Sequence, residues 1–315
     1  MQSKNPPLIA LVGATAVGKT ALSLDLAASL NGEIISADSR QIYRELNIGT
    51  AKPTPAEQAH VPHHLVDIAD PTDEYSLAMY QQAAYAAIDA VTKRGRMPLL
   101  VGGTGQYLAA VLEGWCIPEV APQPELRAAL YAQAERSGTA ALHTQLAQVD
   151  PTAAAAIDAA NVRRVIRALE VFSVTSQTIT SLQTRTAPPY QIITLDLTRP
   201  RAELYARIDA RIDAMINAGL VAEVFGLIRR DYDWELPALS SLGYREFAPL
   251  WNGSASAATC ITQLKFNTHR FARKQGAWFR RLPNYHHLPA APNLLVQAIS
   301  VVQSAIDPEA AHIDH

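Results

Sequence analysis

Only two cysteines, Cys116 and Cys260, occur in the 315 residues. They lie far apart and have no metal-ligating neighbours, which gives no support to a structural zinc site and points to reduced thiols in an intracellular protein. No run of about 18 apolar residues is present for a membrane span. The opening MQSKNPP lacks the apolar stretch of a secretory signal, so a soluble, cytoplasmic protein with no membrane partner is expected. Charge of one sign is not in excess either. The 27 basic and 29 acidic residues leave a net charge of −2, which excludes a uniformly basic nucleic-acid coat but not a local patch. No internal repeat is visible, and the length suffices for one large domain or two, with a sizeable core. A monomer is the expected state.

What the sequence does have is LVGATAVGKTAL at residues 11–22. Gly13, four residues, then Gly18-Lys19-Thr20 is the spacing of a phosphate-binding loop. The apolar run from Leu8 to Val12 reads as a short buried strand, and Thr20 to Leu30 has helical periodicity. Strand, glycine turn and helix in that order form the context that separates such a loop from a chance match. Gly13 and Gly18 let the backbone curl so that N–H groups from Ala14, Thr15, Ala16 and Val17 converge on an anion. The following helix aims its positive end at the same place. Lys19 adds a mobile charge, and the Thr20 hydroxyl suits a Mg²⁺ bridging phosphate oxygens. The loop specifies a diphosphate or triphosphate and leaves the chemistry open.

Further along, Glu33 to Ala37 reads as a strand, HHLVDI as a short one, and Tyr75 to Arg94 as an amphipathic helix. RMPLLVGGTGQYLAAVLEG reads as strand, glycine turn and helix. Strands alternating with helices predict a parallel sheet covered by helices. At CIPEVAPQPEL the character changes, and Glu125 to about Ser181 is alanine-rich and helical in pattern. The β signal returns at PPYQIITLDL, after which helices are expected to the end, with the last segment, DPEAAHIDH, frayed. The predicted organisation is an α/β core of the P-loop NTPase type, residues 1–117 and 188–315, carrying a helical insertion at 118–187. Linkers at both edges suggest an insert able to move relative to the core.

The strand MPLLV ends in Gly102-Gly103-Thr104-Gly105, without the carboxylate that helps hold Mg²⁺ in many nucleotide hydrolases. The acid at a strand end is Asp38, on a strand expected to neighbour the loop strand, at the edge where open α/β sheets bind ligands. An Asp-Ser after a strand is often a cap; the functional alternative is a general base. Ser39 and Gln41 beside it suit recognition of a flat heterocycle.

QLKFNTHRFARKQGAWFRR, residues 263–281, has six Lys/Arg side chains and no acid, with Phe266, Phe271, Trp278 and Phe279 interleaved. One reading buries the aromatics on the sheet under a solvated basic face. The other makes the stretch one of two basic surfaces, with Arg163, Arg164 and Arg167 of NVRRVIRALEV as the second, suited to gripping RNA between core and insert. Arg207 and Arg211 lie one helical turn apart, and Arg211 is placed to reach a diphosphate or to pair along its own helix.

These motifs occur in an order that resembles the tRNA dimethylallyltransferases, also called tRNA isopentenyltransferases. The similarity runs over nearly the whole chain: GATAVGKT, ISADSRQIYRELNIGTAKP, HHLVDIADP, LLVGGTGQYLAAVLEG, RRVIRALEV, RIDARIDAMINAGLVAEV, SLGYREF and ARKQGAWFR. The resemblance implies transfer of a dimethylallyl group from dimethylallyl diphosphate to the exocyclic amine of an adenosine beside the anticodon. By that resemblance, Gly13 to Thr20 hold the diphosphate with Mg²⁺, Asp38 is the general base, and Thr20 and Arg211 assist departure of the diphosphate. Contacts to tRNA are implied for Asp38, Ser39, Arg40, Gln41, Thr104, Arg127, Asn161, Arg163, Arg164, Arg167, Arg270, Arg273, Lys274 and Gln275. The partner is the anticodon stem-loop, gripped by the insert.

The chain departs from the usual pattern at Thr175-Ser176-Gln177-Thr178, where relatives carry a TGKP-like turn. It also departs at Thr268-His269-Arg270, whose arginine is displaced by one position, at Ala277, where a threonine hydroxyl is lost, and at Gln106. Three alternatives remain from the residues: an ATP-dependent phosphotransferase, prenylation of free adenine nucleotides, and a non-catalytic RNA-binding module.

Overall fold

The computed structural model describes residues 5–307; the segment MQSK and, apart from Asp307, the tail expected to fray lie outside them. Two compact units divide the chain, one of residues 1–112 and 188–315 and the other of residues 113–187.

In the first unit, β1 (Pro7–Gly13), α1 (Lys19–Ser29), β2 (Gly32–Ala37), α2 (Pro55–His60), β3 (His63–His64), α3 (Leu77–Lys93), β4 (Met97–Gly102) and α4 (Gly105–Leu112) precede the insert. With β5 (Gln191–Thr198) and β6 (Tyr285–Pro289), which follow the insert, these strands make a six-stranded sheet, all parallel, in the order β3-β2-β4-β1-β5-β6. Ile9 and Leu11 of β1 pack with Leu22 and Leu26 of α1. Leu8, Ala10 and Val12, the alternate positions, are equally buried, so both faces of the central strand are covered and its sequence is apolar without alternation. The Ser76 side chain starts α3 by accepting from the N–H of Met79, an N-cap interaction.

In the second unit, α5 (Pro124–Ser137), α6 (Thr139–Val149), α7 (Pro151–Ala156), α8 (Val162–Thr175) and α9 (Ile179–Leu182) enclose a core of Leu130, Leu142, Leu146, Val165, Ile166 and Leu169. Its ends are tied together: Cys116 N donates to Thr184 O at 2.9 Å and Thr186 N to Gly114 O at 2.8 Å. The unit's first edge therefore falls ahead of the proline-rich stretch. Ser176, in the turn where relatives carry glycine, takes φ 57° at the end of α8, a left-handed conformation that glycine adopts more cheaply.

The chain then returns to the first unit with β5 (Gln191–Thr198), α10 (Arg201–Asn217), α11 (Leu220–Ile228), α12 (Ala248–Trp251), α13 (Ala257–Phe279), β6 (Tyr285–Pro289) and α14 (Leu294–Ile306). Ala298 and Val302 of α14 join the α1 side of the sheet. Ile208, Ile212, Val224, Leu227, Tyr244, Phe247 and Leu264 form a further core cluster. No helix among the described residues is long and apolar enough to cross a membrane.

Three expectations need correction. The strand bearing Asp38 at its end does not neighbour the loop strand, because β4 lies between β2 and β1. Glycine at the end of β4 permits this fit: a Cβ at Gly102 would stand 2.2 Å from Ala37 O. The C-terminal region is not helical throughout, since YHHLP forms β6 at the sheet's edge. Its histidines and terminal proline hide the β pattern, and an edge strand tolerates both. HHLVDI is extended only at His63–His64, because Leu65 and Asp67 take positive φ.

Glu170 holds the insert from within. It is fully buried, receives Arg127 at 2.7 and 3.0 Å, Arg167 at 2.6 Å and the N–H of Gln123 at 2.8 Å. Burial pushes its carboxyl up, and these donors together outweigh burial and hold it below the ordinary carboxylate range. Its stabilisation is therefore present above that range and is lost as pH falls through the depressed value. Glu170→Ala leaves two arginines without their shared acceptor and is expected to cost the insert about 3 kcal/mol. Hydrogen exchange should quicken in α5 and α8 while β1 stays protected; unchanged exchange in α5 and α8 would contradict this role.

Candidate active site

The C-terminal ends of β2, β4, β1 and β5 lie in that order along one edge of the sheet, and each contributes to one site. At the end of β1, Gly13 (φ 148°), Ala16 (φ 63°) and Gly18 (φ 116°) turn the chain sharply into α1. Helix α1 begins at Gly18 with no side-chain cap and no acid in its first turn. Its first N–H groups are thus left for an external anion. A Cβ on Gly13 would meet Leu197 O at 2.6 Å, so the loop lies hard against the neighbouring strand.

Lys19 folds its ammonium back over the loop, donating to Gly13 O at 2.8 Å and Ala14 O at 3.0 Å. Burial and the neighbouring Arg211 pull its pKa down to about 8, against Asp38 and Asp196, which raise it. Burial also pulls Arg211 down, opposed by Asp38. These couplings set Lys19, Arg211 and Asp38 close enough to feel one another's charge. Arg211 forms no ion pair among the described residues. Pairing along its own helix is therefore not what holds it.

Asp38 follows β2 directly. Its Oδ1 accepts from the N–H of Arg40 at 2.9 Å and of Gln41 at 3.4 Å, which fixes the carboxylate and leaves Oδ2 outside that turn. The capping interaction and a role as base are thus compatible. Ser39 N donates to Thr104 Oγ1 at 3.0 Å, joining the β2 end to the glycine turn after β4. Gln41 lies beside them, but its Oε1 accepts from Ser36 Oγ at 3.0 Å and its Nε2 donates to Thr50 O and Ala51 O at 3.2 Å. The Arg40 guanidinium donates to Pro237 O.

Thr20 is exposed at the start of α1. Among the described residues no group of three His, Cys, Asp or Glu gathers as a metal site. A magnesium ion bound with phosphates commonly takes only one or two protein ligands, so a single hydroxyl next to the loop fits that use.

Two contributors, Arg199 and Asp196, lie outside the sequence motifs, and a third, Arg207, shows there only its spacing from Arg211. Arg199, just past β5, donates from Nε to Val17 O at 2.7 Å, and its guanidinium pairs with Glu203. Arg207 Nε donates to Ala16 O at 2.9 Å. Asp196 is buried within β5 and accepts from Tyr285 at 2.8 Å. Burial pushes its carboxyl up, against Tyr285, His287, Lys19 and Arg280. A lone Asp in an apolar strand, and an Arg just past a strand's C-terminal end, were the available signals.

On α13, Arg270, Arg273 and Lys274 are exposed, together with Phe271 and Trp278 at 42% and 39%. Only Phe279 of the interleaved aromatics is buried, so the reading that buries the set on the sheet fails. Gln275 points inward instead, 5% exposed. In the insert, Arg163 and Arg164 are exposed, Asn161 caps α8 by accepting from Arg164 N, and Arg127 and Arg167 are engaged with Glu170.

The depressed Lys19 would make any anion binding by the loop pH-dependent. An anion favours the charged ammonium, so affinity holds below the free value of about 8 and declines above it. Inorganic pyrophosphate with Mg²⁺ should bind about tenfold more weakly at pH 9 than at pH 7. Calorimetry on Lys19→Ala should show a smaller pH slope than the parent; equal slopes would exclude Lys19 as the titrating group.

Comparison with known proteins agrees with this geometry. The family model for IPP transferase matches residues 41–282, and that for isopentenyl transferase matches residues 6–67. The tRNA dimethylallyltransferase of Herpetosiphon aurantiacus is 62% identical over 315 residues, 100% of each chain. That of Roseiflexus castenholzii is 58% identical, covering 96% of this chain and 99% of its own. The crystal structure of the full-length tRNA isopentenylpyrophosphate transferase of Bacillus halodurans is similar at 37% identity and TM-score 0.71, covering 96% of this chain and 99% of that one. A eukaryotic dimethylallyltransferase caught acting on tRNA is similar at 26% identity and TM-score 0.82, covering 96% and 79%. With the family model matched over residues 41–282 and the two bacterial dimethylallyltransferases alike over 99% or more of their own length, the chain belongs to the IPP transferase family, together with the tRNA dimethylallyltransferases.

Proposed function

We propose that the protein is a prenyltransferase that moves a dimethylallyl group from dimethylallyl diphosphate to the N6 amine of the adenosine 3′ to the anticodon in tRNA, releasing diphosphate. The observation that carries the reading is the pairing of an uncapped phosphate loop, with Lys19 and Arg211 beside it, and a fixed carboxylate, Asp38, two strands away on the same edge.

The exocyclic amine of adenine is a weak nucleophile. Asp38 takes its proton as the new N–C bond forms, and the bond from the allylic carbon to the diphosphate oxygen breaks with its electrons leaving on the diphosphate. Lys19, Arg211 and the loop N–H groups stabilise that growing charge. The Thr20 hydroxyl would hold a Mg²⁺ ion beside the loop, which would supply further charge neutralisation. The adenosine must leave its stack to reach Asp38, at a cost of a few kcal/mol. Thr104 and Ser39, joined by a hydrogen bond beside Asp38, line the acceptor side. The exposed Arg270, Arg273 and Lys274 of the core, and Arg163 and Arg164 of the insert, suit RNA phosphates. Phe271 and Trp278, exposed among the core's basic side chains, suit stacking on unpaired bases.

Asp38→Asn is expected to lower prenyl transfer by about 10²-fold or more, the usual scale for a general base, while RNA affinity stays the same. Mass spectrometry of a synthetic anticodon stem-loop measures the transfer, and parent-like turnover would remove Asp38 as the base. Arg273→Ala with Lys274→Ala should reduce the slope of log affinity against log salt by about 1.5. An unchanged slope in a filter-binding series would mean that these side chains do not meet phosphates.

A further inference from the structure

The buried amide of Gln275 links two parts of the site that the transfer must hold at a set separation. Its Oε1 accepts from the N–H of Thr15, inside the phosphate loop, at 2.9 Å. Its Nε2 donates to the carbonyl of Gly103, after β4, at 2.9 Å. Gly103 is suited to this approach, because a Cβ there would stand 2.5 Å from that nitrogen. From Gly103 the connection continues: Thr104 N donates to Ala37 O at 3.1 Å, and Thr104 Oγ1 accepts from Ser39 N at 3.0 Å. Ala37 and Ser39 flank Asp38. Gln275 thus ties the loop to the turn after β4, and Thr104 carries the connection on to the segment that holds Asp38.

The amide is matched to the task. A carbonyl acceptor faces an N–H and an amino donor faces a C=O, so neither buried backbone group is left unpaired. Thr15 N–H is committed to Gln275, which makes this N–H a support of the loop, leaving anion contacts to its neighbours. Trp278, one turn further along α13, lies against Gly105, whose Cβ would meet the indole at 2.8 Å. Helix α13 therefore braces the Gly102–Gly105 turn at two points.

We propose that Gln275 is a positioning residue which sets the spacing between the diphosphate cradle and Asp38, and hence between the allylic carbon and the acceptor amine. The proposal rests on the transfer reading above. It assigns Gln275 a task different from RNA contact, although it sits between residues of a helix whose outer side carries Arg273 and Lys274.

Two variants test it. Gln275→Leu removes both hydrogen bonds at similar volume. It should lower kcat by about 10²-fold, the scale of a misplacement near 1 Å, with RNA affinity within about twofold of the parent. In Gln275→Glu, an ionised carboxylate still accepts from Thr15 but repels the Gly103 carbonyl. A protonated one reproduces the donor–acceptor pair of the amide. Because burial raises a carboxyl's pKa, the ratio of Gln275→Glu to parent activity should rise about tenfold between about pH 8 and about pH 5.5. A merely structural role would not give this recovery, and the ratio decides the matter even if Gln275→Leu fails to fold. A flat ratio, or parent-like kcat in folded Gln275→Leu, would overturn the proposal. If the parent itself transfers no prenyl group, the functional reading fails separately. Calorimetry with inorganic pyrophosphate and Mg²⁺ then still reads the loop, where about tenfold weaker binding by Gln275→Glu at about pH 8 is expected and equal binding would overturn it.

Discussion

An anion cradle made of backbone cannot hold its own shape. The turn from Gly13 to Gly18 has glycines at both ends and a left-handed alanine between them, and within it the N–H of Val17 donates to Ala14 O at a long 3.3 Å. Its geometry depends on side chains from elsewhere: Arg199 on Val17 O, Arg207 on Ala16 O and Gln275 on Thr15 N. The trans peptide geometry that presents a carbonyl to Arg199 turns the N–H of Gly18 the other way. Support of the outer carbonyls and orientation of the inner donors are therefore one interaction seen from two sides. This preorganisation lets fixed dipoles stabilise a leaving anion without rearrangement.

The sheet order gives the second constraint. With β4 between β1 and β2, the loop and Asp38 stand two inter-strand spacings apart, about 9.6 Å. The intervening turn is Gly102-Gly103-Thr104-Gly105, small enough for a ligand to approach the backbone. A diphosphate at one end and a planar amine at the other can then meet above that turn. Burial and the neighbouring Arg211, which lower Lys19, leave its ammonium poorly compensated, so an arriving anion meets an unmet charge.

Much of this was legible in the chain. The loop announced itself by spacing and context, and the alternation of strand and helix through residue 112 gave the parallel sheet. Asp38 was found as a strand-end acid, although its strand's neighbour was misjudged, because nothing local in GEIISA tells which strand β4 will separate. Strand β6 was missed since YHHLP carries two histidines and a proline, and only its place at the sheet edge makes it a strand. Gln275 and the basic residues around it read as one surface patch, yet helical rotation turns Gln275 inward while Lys274 stays out. The RNA contact implied for Arg127 by resemblance and for Arg167 by its basic cluster says nothing of Glu170, the single acid in RALEV that engages both. Pairings between distant segments leave no periodic trace, and they account for most of what was missed.

On the proposed reading, the loop of residues 13–20 holds a prenyl diphosphate for transfer to RNA. The most direct measurement offers the purified protein an unmodified anticodon stem-loop and Mg²⁺ with either dimethylallyl diphosphate or ATP, following RNA mass together with pyrophosphate and ADP. A prenyl-sized gain in RNA mass with matching pyrophosphate release, in the first mixture alone, is the result expected. ADP release with RNA left unmodified would contradict the account and make the loop a nucleotide site.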